Sequence, residues 1–276
     1  MNDRTNSPGM RIYQLGDGTP EVAVVAAIHG DEPCGVRAIE RLVAEEPDAS
    51  RPVKLVVANE EALARDVRYL DEDLNRAFPG APDADTLEGR LAHELDRELR
   101  DCTTLSLHST QSYGEPFALV DTVDAVTRSL CPHLPIDVVV ETDRFTDGRL
   151  IQHPHTVEAE CGFQGSEEAA DNAYWLVRAF LAATGALAAP LSDDPIEANN
   201  RDEVAVFRLL EEIPKAPAAE YEVFATNFER IDAGERFAAA GGEVLAADEA
   251  FYPVLMSPYG YRRVFGYAAE KVGVLS

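Results

Sequence analysis

The sequence predicts an α/β fold, a β-sheet interleaved with helices, followed by a smaller β-rich domain. Three observations predict it. Apolar, valine-rich runs such as EVAVVAAI (residues 21–28) and VKLVVA (53–58) read as strands buried on both faces. Segments of helical period lie between such runs. Past residue 185 the composition turns to Ala, Pro, Asp and Asn, and short strand patterns punctuated by Gly and Pro follow. The expected division is residues 1–190 for the first domain and 191–276 for a linker with the β-rich domain.

The strand at 21–28 ends abruptly in His29-Gly30-Asp31-Glu32, and a helical pattern occupies 35–43. After the second strand, residues 59–80 are polar with no clear period, and a long loop inside a compact domain is usually functional. Residues 86–100 read as an amphipathic helix with Thr86 as its N-cap. A strand at 103–107 ends at His108. Further strands are expected at 117–120, 136–141 and 156–161, with helices near 123–130 and 167–183.

Composition excludes several function classes. Asp and Glu number 50 against 24 Lys and Arg, a formal charge of −26, and lysine occurs only at Lys54, Lys215 and Lys271. Nucleic acids and anionic membranes need a clustered positive footprint, so neither is expected as a partner. An acidic, lysine-poor surface resembles that of proteins from halophiles, where molar salt shortens the Debye length to about 3 Å and screens self-repulsion. Cys34, Cys102, Cys131 and Cys161 show no C-x-x-C spacing and read as buried thiols. With no apolar signal core at the N-terminus and no span of roughly 20 apolar residues, a cytoplasmic location is the default. Neither a G-x-S-x-G elbow nor a phosphate-binding glycine loop is present.

The chemistry concentrates at strand ends. His29 and Glu32 follow a buried strand, where α/β sheets expose functional groups to a crevice, and their spacing lets both side chains turn to one point. An imidazole and a carboxylate there supply two of the three protein ligands of a catalytic zinc, and His108 can supply the third. Taken alone, H-x-x-E is more often a core histidine and a helix-start acid. Its company changes the odds: a second strand ends in Leu-His-Ser-Thr, and the loop between holds Asp73-Leu74-Asn75-Arg76.

With Arg68, the run Asp73 to Gly80 (DLNRAFPG), His108-Ser109-Thr110 and Glu160-Cys161-Gly162, these residues resemble the succinylglutamate desuccinylase and aspartoacylase family, over about residues 21–185 and in the family's order. Glu60, where relatives commonly carry proline, is a departure. The resemblance implies a zinc carboxypeptidase-like fold, a mixed β-sheet flanked by helices, and makes residues 1–190 the zinc-hydrolase catalytic domain. It implies one Zn2+ per chain on His29, Glu32 and His108, lowering the pKa of a bound water to about 7 for attack on an amide carbonyl. Glu160 then matches the family's general base and acid, Arg68 the arginine that polarises the carbonyl, and Asn75 with Arg76 the clamp on the amino acid carboxylate. Glu158 is a rival base, since both glutamates share one face of a period-2 strand and spacing alone does not choose between them. By residue type Glu158 reads as a solvated strand carboxylate.

The expected function is removal of an acyl group from a small, anionic N-acyl amino acid. Two rivals remain: a zinc carboxypeptidase acting on peptides, and a metal-binding or interaction protein that has lost catalysis. The sequence does not identify the acyl group or the amino acid, and nothing in it excludes a homo-oligomer. His93, His133, His153 and His155 read as surface or structural residues.

Overall fold

The computed structural model describes residues 2–3, 9–187 and 203–276. From residue 188 the stretch read as a linker lies outside the described residues. The first run forms β3 (Val22–Ala26), preceded by β1 (Asn2–Asp3) and β2 (Arg11–Leu15) and followed by helix α1 (Cys34–Glu45). Next come β4 (Val53–Val57), a short helix α2 (Glu60–Ala64), α3 (Leu87–Leu99) and β5 (Thr103–Thr110). Then follow β6 (Phe117–Val120), α4 (Ala125–Leu130), β7 (Val138–Glu141), β8 (Thr156–Phe163) and α5 (Glu167–Ala183). The C-terminal stretch contributes β9 (Val204–Pro214), β10 (Tyr221–Val223), β11 (Arg236–Ala240), β12 (Glu243–Ala246), β13 (Tyr252–Val254) and β14 (Val264–Leu275).

Eleven strands form one mixed sheet in the order β1-β2-β4-β3-β5-β8-β6-β7-β9-β14-β13, and β10, β11 and β12 form a separate antiparallel sheet. The fold is thus the mixed α/β sheet with a smaller β unit that the sequence predicts. At its centre β4, β3, β5 and β8 run parallel, so their C-terminal ends gather at one edge. The reversal at β6, antiparallel to β8, closes one side of that edge. Beyond it, β9 pairs in parallel with β7 and antiparallel with β14, which brings chain from beyond residue 203 into the central sheet.

β3 shows why this sheet needs helices on both faces. Val22, Val24 and Ala26 point into a core with Ile39 and Leu42 of α1 and Leu176 and Phe180 of α5. Ala23 and Val25 point the other way, against Leu91, Leu95 and Leu99 of α3. Strict alternation into two apolar layers fixes the register, because a one-residue slip would exchange the faces. α3 begins as its sequence predicts, the Gly89 amide donating to Thr86 Oγ1 at 3.1 Å.

Three local features differ from the sequence reading. β2, antiparallel to β4, escapes a search for apolar runs because Arg11 and Gln14 interrupt its five residues. The polar stretch 59–80 is not wholly loop: α2 occupies its start, capped by the Asn59 side chain on the Ala62 amide, yet is too short to show a period. β5 runs on to Thr110, so His108 lies within the strand rather than at its end. Among the described residues no helix is long and apolar enough to cross a membrane, and all four cysteines are free and buried.

Candidate metal centre

His29 reaches the site on the turn after β3, and Gly30 is required there by a close approach. A Cβ at Gly30 would lie 2.2 Å from the Ala62 carbonyl carbon, so only glycine lets the turn pack on α2. Glu32 follows one step later, just before α1, and the parallel pairing of β3 with β5 brings His108 alongside. Ligand atoms of His29, Glu32 and His108 lie within 4.8 Å of one another, and all three residues are buried.

The carboxylate of Glu32 is the hub. Its Oε1 lies 2.8 Å from His29 Nδ1 and accepts from Arg68 Nη1 at 3.3 Å. Its Oε2 lies 3.2 Å from His108 Nδ1 and accepts from the Ser109 amide at 3.2 Å. Both imidazoles therefore turn Nδ1 inward, and each outer nitrogen has a partner. His29 Nε2 lies 3.1 Å from Asp73 Oδ1, and His108 Nε2 lies 3.1 Å from Ser106 Oγ and 3.9 Å from Glu158 Oε1. Such outer partners fix the tautomer and orientation of a metal-binding histidine. Asp73 is itself fixed, Oδ2 accepting from Arg68 Nε at 3.2 Å and Oδ1 from the Asn75 amide at 2.9 Å.

Electrostatics follow from this contact list. Burial disfavours charge on His29, but the Glu32 carboxylate and the hydrogen bond to Asp73 outweigh it and raise its pKa. Burial likewise opposes charge on His108, while the hydrogen bond to Glu32 and the charge of Glu158 lift it to about 9. Burial would raise Glu32, but the two histidines hold it well below the usual carboxylate range. Two imidazoles and one carboxylate converging in a dry corner, with outer nitrogens satisfied, fit a divalent ion of the zinc type.

The centre opens into a cavity of about 130 Å³. The expected site residues Arg68, Asn75, Arg76 and Glu160 line it, as do the three candidate ligands. Glu160 is the register neighbour of His108 on β5 and of Phe117 on β6, so its carboxylate stands on the same face as the His108 ring. Its Oε2 is buried without a hydrogen-bond partner. Burial raises its pKa to about 7; the His108 charge pulls down, while Glu32 and Glu158 push further up. Gly162, at φ 128°, sits where the register of β8 against β5 shifts between the His108–Glu160 and Thr110–Phe163 pairs.

Glu158 is not a solvated strand carboxylate. It is 3% exposed, because β6 pairs across it through Leu119, and its Oε1 accepts from Asn75 Nδ2 at 3.3 Å. The Asn75 side chain is otherwise occupied by the Leu150 amide at 2.8 Å. That bond anchors the turn carrying Arg149, a cavity residue the sequence reading did not reach. Arg149 reaches Tyr267 Oη at 3.4 Å, and Arg76 donates to the Asn75 carbonyl at 2.5 Å. Among the described residues neither guanidinium forms an ion pair with a carboxylate, and burial together with Arg149 lowers the Arg76 pKa. Leu255, Ser257, Gly260 and Tyr261, between β13 and β14, complete the wall. No sequence motif marks them. His153 and His155 lie elsewhere, in a separate hollow with Asp121 and Asp124.

Comparison with known proteins places this geometry. Residues 18–133 match the sequence profile of the succinylglutamate desuccinylase/aspartoacylase catalytic domain. No curated protein sequence matches the chain. Among solved structures, the product-bound ectoine utilization protein EutE (DoeB) of Ruegeria pomeroyi is similar, with a TM-score of 0.75 at 19% identity over 96% of this chain and 89% of that one. Murine aminoacylase 3 superposes with a TM-score of 0.72 at 23% identity, over 94% and 98%. The succinylglutamate desuccinylase/aspartoacylase of Rhodobacter sphaeroides gives 0.69 at 19% identity, over 96% and 88%. Residues 18–133 thus match the catalytic-domain profile of the succinylglutamate desuccinylase/aspartoacylase family, and the chain as a whole shares the fold of these solved structures.

Proposed function

We propose that the protein is a zinc-dependent amidohydrolase that removes the acyl group from a small N-acyl amino acid. The observation that carries this reading is one cavity holding a buried His-Glu-His cluster, an unpartnered carboxylate oxygen on Glu160, and two guanidiniums that pair with no carboxylate among the described residues. His29, Glu32 and His108 would hold the ion. When bound, zinc supplies an activated water and polarises the amide carbonyl.

The chain's own groups do the rest. Glu160, poised near neutral pH, takes the proton of the attacking water and hands it to the leaving amine nitrogen. Arg68, held by Asp73 and Glu32 at the cavity wall, orients the carbonyl oxygen. Arg76 and Arg149 face the substrate carboxylate, the task for which a planar, permanently charged fork of donors is suited. Asn75 acts through its bonds to Glu158 and Leu150, which hold the anion-binding wall in place. On this reading the machinery sits in residues 1–190, and the segment from Leu255 to Tyr261 roofs it.

A cavity of about 130 Å³ favours a small acyl amino acid over an extended peptide. The test is zinc analysis of the purified protein combined with turnover of an N-acyl amino acid panel against dipeptides and longer peptides. Faster cleavage of peptides would replace this reading with the carboxypeptidase one. Stoichiometric zinc with no hydrolysis of any substrate would support a metal-binding protein without catalysis.

A charge of −26 opposes an anionic substrate in dilute solution. We read the acidic surface as suited to molar salt, which leaves only the contact-range pull of the arginines and the ion. KM should rise in dilute buffer, and a KM unchanged between dilute and molar salt with the fold intact would refute this.

A further inference from the structure

We propose that Glu88 is a positioning residue for the metal centre: its buried carboxylate pins the loop that sets Asp73 against His29 and Arg68 against Glu32. Glu88 stands in the first turn of α3 and is 0% exposed. Its Oε1 accepts from the Leu70 amide at 2.7 Å and from Asn59 Nδ2 at 3.2 Å. Its Oε2 accepts from the amides of Asp71 at 3.1 Å and Glu72 at 3.3 Å. Three consecutive backbone N–H groups are thus turned onto one side chain.

α3 does not need this arrangement for its own sake. Its N-terminus is capped by Thr86, and an acid in a helix's first turn interacts with the dipole without burial. What the carboxylate organises is the neighbouring chain. Arg68 lies two residues before Leu70, Asp73 one residue after Glu72, and the Arg68 carbonyl accepts from the Gly30 amide at 3.2 Å. Asn59, held by the same carboxylate, caps α2, the helix on which Gly30 packs. The clasp is reciprocal: Asp71 Oδ2 accepts from the Leu87 amide at 2.8 Å, and the Thr86 hydroxyl donates to the Glu72 carboxylate. An outer carboxylate sets the orientation and basicity of a metal-binding histidine, so releasing the loop reaches the ion through Asp73 and His29.

This proposal rests on the metallohydrolase reading, and its test separates the two. Zinc Kd is measured by chelator competition on the full chain for wild type, Glu88→Gln and Leu91→Ala, with kcat and KM at saturating zinc. Glutamine keeps the shape but turns an amide NH2 toward groups that are all donors. The Glu88→Gln zinc Kd should weaken roughly 10- to 100-fold, the usual range for outer partners, and kcat should fall more than KM rises. Leu91→Ala opens a cavity on the same helix, so it should lower Tm while zinc Kd and kcat stay at wild-type values.

A wild-type zinc Kd in Glu88→Gln overturns the proposal, as does equal weakening in Leu91→Ala, which would make the effect one of general destabilisation. A wild-type chain that binds no zinc overturns the metallohydrolase reading instead. Should Glu88→Gln not fold, Asp71→Ala removes the exposed half of the clasp and reads the same quantity. A zinc Kd weakened a few-fold supports the proposal, and an unchanged one overturns it.

Discussion

At the metal end of the cavity every candidate ligand is engaged, whereas at the arginine end two guanidiniums face the cavity with no carboxylate partner among the described residues. Glu32 has four groups around its two oxygens, and both histidines have a partner on each nitrogen. Among the described residues Arg76 and Arg149 each make a single side-chain bond, to a carbonyl and a phenol. The difference separates a corner held in place by its own hydrogen bonds from a receptive one whose charge a ligand would complete. Glu160 stands between them, half-buried and with one buried oxygen unused.

The comparison breaks most completely if the engaged corner proves dispensable. His29→Ala or His108→Ala should abolish stoichiometric zinc and take turnover below detection, checked by metal analysis after desalting and by direct assay. Next in size is the group between the corners: Glu160→Gln should keep its zinc and lose turnover by about 10²- to 10⁴-fold, the usual contribution of a positioned acid or base. A wild-type kcat in that variant would remove Glu160 from the mechanism.

At the receptive end, Arg149→Ala should leave zinc content untouched and lower kcat/KM by roughly 10- to 100-fold, mainly through KM. That corresponds to about 1.5–3 kcal/mol for a hydrogen bond to a charged group. The smallest effect concerns pH and the zinc-free protein. Against burial, the hydrogen bond to Glu32 and the charge of Glu158 raise the His108 pKa from 6.5 to about 9, so its stabilisation should be complete below pH 6.5 and disappear as pH rises through 9. The Tm of zinc-free protein should therefore fall across that window, while zinc binds more tightly across it because the imidazoles must be neutral to bind. A zinc-free Tm that is flat from pH 6.5 to 9 would show that His108 gains nothing from Glu32.

Much of the engaged corner was legible in the sequence. H-x-x-E after a valine-rich strand and a histidine on a second strand are local signals, and parallel pairing of β3 with β5 brings them together. Asp73 was visible within its motif, but nothing in a carboxylate's neighbours along the chain says that it lies against an imidazole 44 residues away. Period-2 spacing placed Glu158 on the face it shares with Glu160, whereas residue type misjudged its exposure, because its neighbours on β6 lie outside that strand. Arg149 and Tyr261 were illegible for the same reason. One arrives on a turn tied to Asn75 and the other on the segment between β13 and β14, and their proximity exists only once the sheet has closed around them.

The hub at Glu32 also bears on how an ion enters. The fold raises the pKa of both imidazoles; were both protonated, the corner would carry two positive charges and one negative, the same sum as a divalent ion held by neutral imidazoles and the Glu32 carboxylate. Loading is then an electroneutral exchange, and the surrounding dielectric has no new charge to accommodate. The vacant and loaded proteins should differ little in their long-range field, which leaves ion selectivity to donor type and shape.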